Sequence, residues 1–436
     1  MSVANLFSDF LSNLAIENGE EISLRYGELT AALNKQFRDT DSKTANSLQV
    51  GSFGRKTGID GLSDLDMLYI MPKSKWETYN DGGQLKLLQD AKQAIQSRYP
   101  TTKVRIDRLV VTVTYSNFHV EVQPVFEQED GSFMYPDTRD GGSWKITKPR
   151  EEMEELSSKD TACNANLKRL CKMARAWRNK HGLQMGGLLI DTVVYNFFCQ
   201  TSSYDKKSFL YYDILSRDFF LYLSELPEQS YYLAPGSRQR VKVRKKFQSK
   251  AKKAYRLCLE AIEAEYQKNV NDKWRRVYGR PFPPAKAVSV EMSHAVASRD
   301  WRDTEEFIED KYPVDIRYAL ELDCTVSQNG FRPTLLRTMI LHSIPLFPKK
   351  NLKFEIIKNT VPSPYEILWK VLNRGEEAKR RNCIRGEIVP DKGRSEKIES
   401  TDFRGDHVVE CYVIKDGVVV AKDRIHVPIE VSDAED

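Results

Sequence analysis

Residues 50–71, VGSFGRKTGIDGLSDLDMLYIM, place four glycines and a serine ahead of an apolar run that is headed by two aspartates. No other stretch constrains the fold as much, because it demands a glycine-rich turn that closes on the start of a strand. In a strand, residues i and i+2 point to one face, so Asp64 and Asp66 project side by side. Carboxylates held that close repel one another unless cations sit between them, and magnesium favours carboxylate oxygens, water and phosphate. Gly51 lets the backbone come near a phosphate, and the hydroxyl and amide of Ser52 can bond its oxygens. The loop is not a Walker site, since no Gly-x-x-x-x-Gly-Lys spacing occurs in it. A bare Asp-x-Asp is equally compatible with Asp64 capping or turning the chain.

A third acid stands on a later strand. In FHVEVQPVF, residues 118–126, alternation puts Phe118, Val120 and Val122 on the core face and His119, Glu121 and Gln123 on the other. Glu121 is the one carboxylate within that strand. Three carboxylates can hold two metal ions, one activating a hydroxyl nucleophile and one stabilising an α-phosphate and the departing pyrophosphate. His119 shares the face of Glu121, either lining the site or supporting it from behind.

At 436 residues the chain exceeds one ordinary core. Leu6, Phe10 and Leu14, then Ile22, Leu29, Leu33 and Phe37, recur at helical spacing over 4–38, with a break near Gly19. A further helix is expected at 83–99, then strands RLVVTVTY and FHVEVQPVF about a turn at Ser116 and Asn117. From 153 to 280 the texture is helical. NANLKRLCKMARAWRNKH stripes Leu167, Leu170, Met173, Ala174 and Trp177, while MGGLLIDTVVYNFFCQ is apolar all round and reads as a buried helix. Beyond Tyr312 it is β: Ile316, Tyr318, Leu320 and Leu322 alternate, and Tyr365, Ile367, Trp369 and Val371 do so less cleanly. Asp416-Gly417 between two apolar runs marks a hairpin. The fold class expected is α+β: a catalytic core at 1–152, a helical lobe at 153–284, a linker at 285–311 and an all-β, sandwich-like domain at 312–436.

Composition excludes little beyond membrane spans and disulfide scaffolds. Seven scattered cysteines without a Cys-x-x-Cys pair point to buried thiols in a reducing compartment, and with no leader legible the expectation is a cytoplasmic protein off the membrane. A net charge of +5 is too mild to diagnose a nucleic-acid binder. Residues 237–256, SRQRVKVRKKFQSKAKKAYR, nonetheless carry ten Lys or Arg and no acid. Such a run either attracts polyphosphate or RNA backbone or is the solvated face of a long helix.

Gly-Ser, then Asp-x-Asp on a strand, then an acid three residues before a proline resembles the DNA polymerase β-type nucleotidyltransferase superfamily. VGSFGRKTGIDGLSDLDMLYIM, the N-terminal helical segment and LKRLCKMARAWRNKHG with GGLLIDTVVYNFF resemble, more narrowly, the bacterial cGAS/DncV-like nucleotidyltransferases over residues 1–284. PYEILWKVLNRGEEAKRRNCIRGEI, the FRG at 403–405 and the final hairpin are similar to the adenylyl/guanylyl and SMODS C-terminal sensor domain. The resemblance implies that Gly51, Ser52 and Lys172 bind the donor nucleotide and that Asp64, Asp66 and Glu121 are both the catalytic residues and the ligands of two Mg2+ ions, with Mn2+ as a substitute. The family commonly has aspartate at the third acid, and one extra methylene still allows ligation. Lys172 can also be read as a basic residue on an exposed helix face. MGGLLID offers no ring to stack on a base, so the platform is sought at Tyr231 or Tyr232.

The implied activity is synthesis of a cyclic di- or trinucleotide messenger from NTPs, ATP or GTP among them, in anti-phage signalling of the CBASS type. A separate effector protein would be activated by the product, a nucleic-acid activator is left open, and a monomer is expected. The rival readings are a linear oligonucleotide synthase, nucleotidyl transfer to RNA or protein, and a nucleotide-sensing module without turnover. Base identity, linkage, ring size and activator are not legible in the sequence.

Overall fold

The alternation in DLDMLYI and HVEVQPVFE builds two adjacent strands, Asp64–Ile70 and His119–Glu127, at the centre of a mixed sheet. They run parallel, with Asp64 opposite His119 and Asp66 opposite Glu121. Parallel neighbours need a crossover. Helix Gln84–Arg98 and the strands Lys103–Asp107 and Val110–Thr114 supply it, the latter pair extending the sheet beyond His119–Glu127. Ser47–Gln49 flanks Asp64–Ile70 on the other side, antiparallel. This computed structural model describes residues 3–61, 64–116, 118–285, 306–328, 333–342, 344–373, 376–381, 383 and 385–430. Asn117, most of the expected linker (286–305) and the final residues from 431 onward lie outside the described residues.

Leu65, Met67, Tyr69, Val120 and Val122 face Leu29 and Leu33 of helix Gly19–Arg38 and Leu87, Leu88 and Ile95 of helix Gln84–Arg98. Burying each such side chain is worth about 1.5–3 kcal/mol. A one-residue slip would turn this whole set outward, so the core locks the register that brings the acids to the opposite face. In this sheet, among the described residues, four short strands add to those expected: Ser47–Gln49, Lys103–Asp107, Phe133–Asp137 and Ser143–Thr147. Each has only three to five residues, too short a run for alternation to stand out, and Phe133–Asp137 contains a proline, which reads as a breaker in sequence but is tolerated toward a sheet edge.

The break expected near Gly19 divides 4–38 into two helices, Val3–Ser12 and Gly19–Arg38. They serve different cores. Phe7 of the first lies 5.0 Å, ring to ring, from Trp274 and 5.4 Å from Phe282, while the second covers the sheet. Six helices follow: Pro149–Ala162, Asn166–His181, Gly187–Gln200, Tyr212–Glu225, Gln248–Glu263 and Val270–Tyr278. Leu167, Leu170, Met173, Ala174 and Trp177 are buried together as their spacing predicts. None of the described helices is long and apolar enough to cross a membrane.

The chain divides into two units, Met1–Lys286 and Ala287–Asp436. The second holds two four-stranded antiparallel sheets, with Leu322, Phe354, Trp369, Cys411 and Val420 in their shared core. Gly405–Lys415 and Val418–Ile429 form the expected hairpin, and Asp416 and Gly417 at its tip have φ of 52° and 78°. Positive φ at both positions is what a two-residue I′ turn requires. The imperfect alternation of Glu366–Leu372 has a plain cause. Trp369 and Val371 enter one core while Leu368, on the other face, is buried with Ile308, Ile388 and Tyr412. Ile316 and Tyr318 precede the strand, which spans Leu320–Ser327; backbone contacts to Val419 and Val420 hold this approach.

Candidate active site

Strand Ser47–Gln49 leads directly into the glycine turn. The Val50 N–H donates to the Asp66 carbonyl at 3.0 Å, extending the pairing by one residue, and the chain then wraps into the single helical turn Gly51–Gly54. Gly51 has φ +65°, and a β-carbon placed there would overlap the Asp66 carboxylate. Only glycine meets both demands. The Ser52 carbonyl accepts the N–H groups of Thr57 at 2.9 Å and Gly58 at 3.0 Å, which closes the loop behind the serine. Gly51→Ala is therefore expected to strain the backbone by about 1–2 kcal/mol and to displace Asp66. The expected result is a loss of at least about tenfold in nucleotide turnover, read as pyrophosphate release, with an unchanged circular-dichroism spectrum.

Asp64, Asp66 and Glu121 share the face of the sheet turned away from the helices, and all three are partly exposed. His119 is buried, at 5% exposure, and its Nε2 contacts Oδ1 of Asp64. One potential ligand atom each from Asp64, His119 and Glu121 lies within 4.8 Å of the others. Asp66 stands one step along on the same face, directly across from Glu121. Hard oxygen donors from three acids, open on one side to water or phosphate, fit a divalent cation of the magnesium type.

A buried charge network fixes the far end of the turn. Arg55, next after Gly54, donates through Nε to Asp191 Oδ2 at 2.8 Å, and the Thr57 hydroxyl donates to the same oxygen at 3.0 Å. Arg175 grips that carboxylate from the other side, at 2.6 Å to Oδ1 and 3.0 Å to Oδ2, and also reaches the Gly187 carbonyl at 3.1 Å. Arg55 further approaches Glu152 at 3.9 Å, and the Ser237 hydroxyl donates to Glu152 at 3.0 Å. Asp191 is wholly buried. Burial pushes its carboxyl up, but Arg175 and then Arg55 outweigh burial and hold it at about 2. This network ties the end of the Gly51–Gly54 turn to helices Asn166–His181 and Gly187–Gln200. It escaped the sequence reading, although one carboxylate in the otherwise apolar GLLIDTVVYNFF was its visible trace.

Lys172 lines a cavity with Phe53, Gly54, Lys56 and Met153, and none of Gly51, Ser52 or the three acids lines that cavity. Tyr232 is buried at 7% exposure, which removes it as a base platform. Tyr231 is exposed on the hairpin Tyr231–Leu233/Arg240–Lys242, with the Arg240 guanidinium 4.5 Å from its ring centre. The basic run forms this hairpin's second strand and the front of helix Gln248–Glu263. Ala251, Ala254, Leu257 and Cys258 turn inward there, while Lys250, Lys252, Lys253 and Arg256 face solvent.

A Gly-Ser turn is seated on the second of two strand aspartates, with a third acid on the adjoining parallel strand. Residues 1–160 match the Second Messenger Oligonucleotide or Dinucleotide Synthetase (SMODS) domain, and residues 302–430 match the Adenylyl/Guanylyl and SMODS C-terminal sensor domain. With both domains on one chain, the protein is a nucleotidyltransferase enzyme of the cGAS/DncV-like family. No curated protein matches the sequence. Similar solved structures include CdnC of E. coli MS115-1 with ATP, at 15% identity and TM-score 0.48 over 64% of this chain and 98% of that one. The CD-NTase CdnG of Bradyrhizobium diazoefficiens in complex with GTP gives 11%, 0.48, 64% and 96%. Apo DncV of Vibrio cholerae gives 13%, 0.43, 55% and 69%.

Proposed function

We propose that the chain is a magnesium-dependent synthase that joins ribonucleoside triphosphates into a cyclic di- or trinucleotide. The observation that carries this reading is the seating of Gly51 on Asp66 while Glu121 lies opposite Asp66 on a parallel strand, so that phosphate turn and acids form one rigid block. Gly51 and Ser52 hold the donor triphosphate. Asp64, Asp66 and Glu121 hold the cations, and His119 steadies Asp64 from behind. One or two magnesium ions bound there neutralise the α-phosphate and the departing pyrophosphate and lower the pKa of the attacking hydroxyl. The acceptor ribose oxygen attacks the donor α-phosphorus, its proton passes to solvent at the partly exposed acids, and the bond to pyrophosphate breaks. The last such step, within the linear product, closes the ring, with one pyrophosphate released for every bond formed. Tyr231 supplies the exposed ring nearest in kind to a base platform.

Cyclic messengers act through a separate effector, so anti-phage signalling through a product-activated partner is the setting we assign. The seven free thiols suit a reducing cytoplasm. The exposed basic hairpin and helix front offer a surface to a polyanionic activator, without requiring one. The test is to incubate the full chain with the four NTPs and magnesium and to identify products by mass spectrometry after phosphatase treatment. Phosphatase-resistant species with one phosphate per nucleoside are expected. Products that phosphatase strips of their terminal phosphates favour the linear synthase instead, and label appearing on RNA or protein favours transfer to a macromolecule.

A further inference from the structure

The last turns of helices Gly187–Gln200 and Tyr212–Glu225 and the hairpin Tyr231–Leu233/Arg240–Lys242 line a cavity of about 600 Å3, within the size range of small-molecule sites. Tyr232 is the telling residue in its wall. Its ring lies 6.5 Å from that of Phe247 and the residue is 7% exposed, yet its hydroxyl has no hydrogen-bond partner among the described residues. Buried polar groups are nearly always bonded, so a hydroxyl left over on a cavity wall is a group for an occupant to use. The rest of the lining is of the same kind. Tyr222 and Leu226 give apolar wall, while Asn196, Gln200 and Gln229 bring three amides. Among the described residues Arg238 is the one charged side chain in the lining, and no Asp or Glu is there. Neither those amides nor the Arg238 guanidinium makes a side-chain hydrogen bond or ion pair with a described residue. The turn that carries Arg238 is held on both sides. The Ser237 hydroxyl donates to Glu152 at 3.0 Å, and the Gln239 amide donates to the Ile146 carbonyl at 2.8 Å.

Amides read the donor and acceptor edge of a nucleobase, tyrosine rings stack on its face, and arginine pairs with phosphate. We propose that this cavity is a second nucleotide site. It takes a nucleoside monophosphate unit, with the base among Tyr222, Tyr232 and the three amides and the phosphate on Arg238. Tyr231 also lines the cavity, which gives the exposed ring of the hairpin a base to stack on. The site stands apart from the phosphate clamp and the acids, since none of Gly51, Ser52, Asp64, Asp66 or Glu121 lines it. The unit comes either as a free mononucleotide or as part of a cyclic dinucleotide, which carry the same base and phosphate groups.

The test is calorimetric titration of the full chain in EDTA, where no metal-dependent site contributes. The probes are AMP and GMP, their nucleosides, and cyclic di-AMP and cyclic di-GMP. One site is expected for at least one mononucleotide, with its nucleoside bound at least about tenfold more weakly, the scale of one charge-assisted hydrogen bond. Tyr232→Phe should weaken the mononucleotide by about threefold to tenfold. It should leave the melting midpoint unchanged or raised, because it deletes a hydroxyl that no described residue bonds. Arg238→Gln, at an exposed position that the fold can spare, should weaken the mononucleotide by about tenfold and leave the nucleoside unchanged. A cyclic dinucleotide bound more tightly than the mononucleotide assigns the site to the product, and the reverse order assigns it to free mononucleotide. Absence of nucleotide binding in EDTA, or indifference to both substitutions, overturns the proposal. A rise of more than about threefold in the KM for ATP in Tyr232→Phe also overturns it, because the cavity would then hold a substrate base. The titrations need no turnover, so their failure is separate from a failure of the synthase reading.

Discussion

Asp64→Ala is expected to lower pyrophosphate release from mixed NTPs by about 10^3 or more while the thermal midpoint moves by less than about 3 °C. The size follows from what the side chain can hold. A divalent cation at a transferring phosphate contributes several kcal/mol of charge stabilisation, and each 1.36 kcal/mol is tenfold in rate. The small stability effect follows from position, since Asp64 is partly exposed and lies on the face away from the apolar core. Asp66→Ala should lose as much activity, and it also removes the carboxylate on which Gly51 rests. Glu121→Asp is the informative companion. It restores the shorter acid common in the family and should retain far more activity than Glu121→Ala. If Asp64→Ala turned over at the wild-type rate, the three acids would have no part in the chemistry.

The second large effect is on stability. Asp191→Asn leaves shape nearly unchanged but strands Arg55 and Arg175 in the interior without their shared counter-charge. Removing one partner of a buried pair costs about 3–5 kcal/mol, which in a unit of this size lowers the melting midpoint by about 10 °C. Because Arg55 directly follows the Gly51–Gly54 turn, nucleotide affinity should fall with it. Scanning calorimetry and nucleotide titration below the new midpoint read the two effects separately. A midpoint within 2 °C of wild type would show that the network contributes nothing.

The same carboxylate sets a pH dependence. Its folded pKa, about 2, lies below the value of about 3.9 for an unfolded aspartate. A depressed acid stabilises the fold fully above the unfolded pKa and loses that contribution as pH falls through the folded one. Wild type should therefore lose this part of its stability only between roughly pH 4 and pH 2. Asp191→Asn should show a flatter acid limb over the same window, since it has no such proton to take up.

Much of the site was legible in the residues because strand geometry repeats every two positions. Asp64 with Asp66, and His119 with Glu121, had to share faces once their apolar neighbours were buried. Nothing local in the sequence placed those two strands in parallel register, nor put His119 against Asp64. Lys172 shows the limit from the other side. Its helix and stripe were readable, yet which chamber its ammonium lines depends on where helix Asn166–His181 meets the loop after Gly54. Tyr231 and Tyr232 were indistinguishable as adjacent rings, and only the hairpin turned one outward and one in.

The contrast is sharpest in the opening stretch. Sequence alone determined that a glycine-serine turn precedes a strand with paired acids, because periodicity and the lack of a β-carbon act over a few residues. The tertiary structure alone decided why Gly51 must be glycine, since the Asp66 carboxylate fills the space a side chain would need. It alone brought Arg55 to Asp191 across 136 positions. Long-range pairing of buried charges has no period along the chain and is selected only when the cores of sheet and helices close on one another.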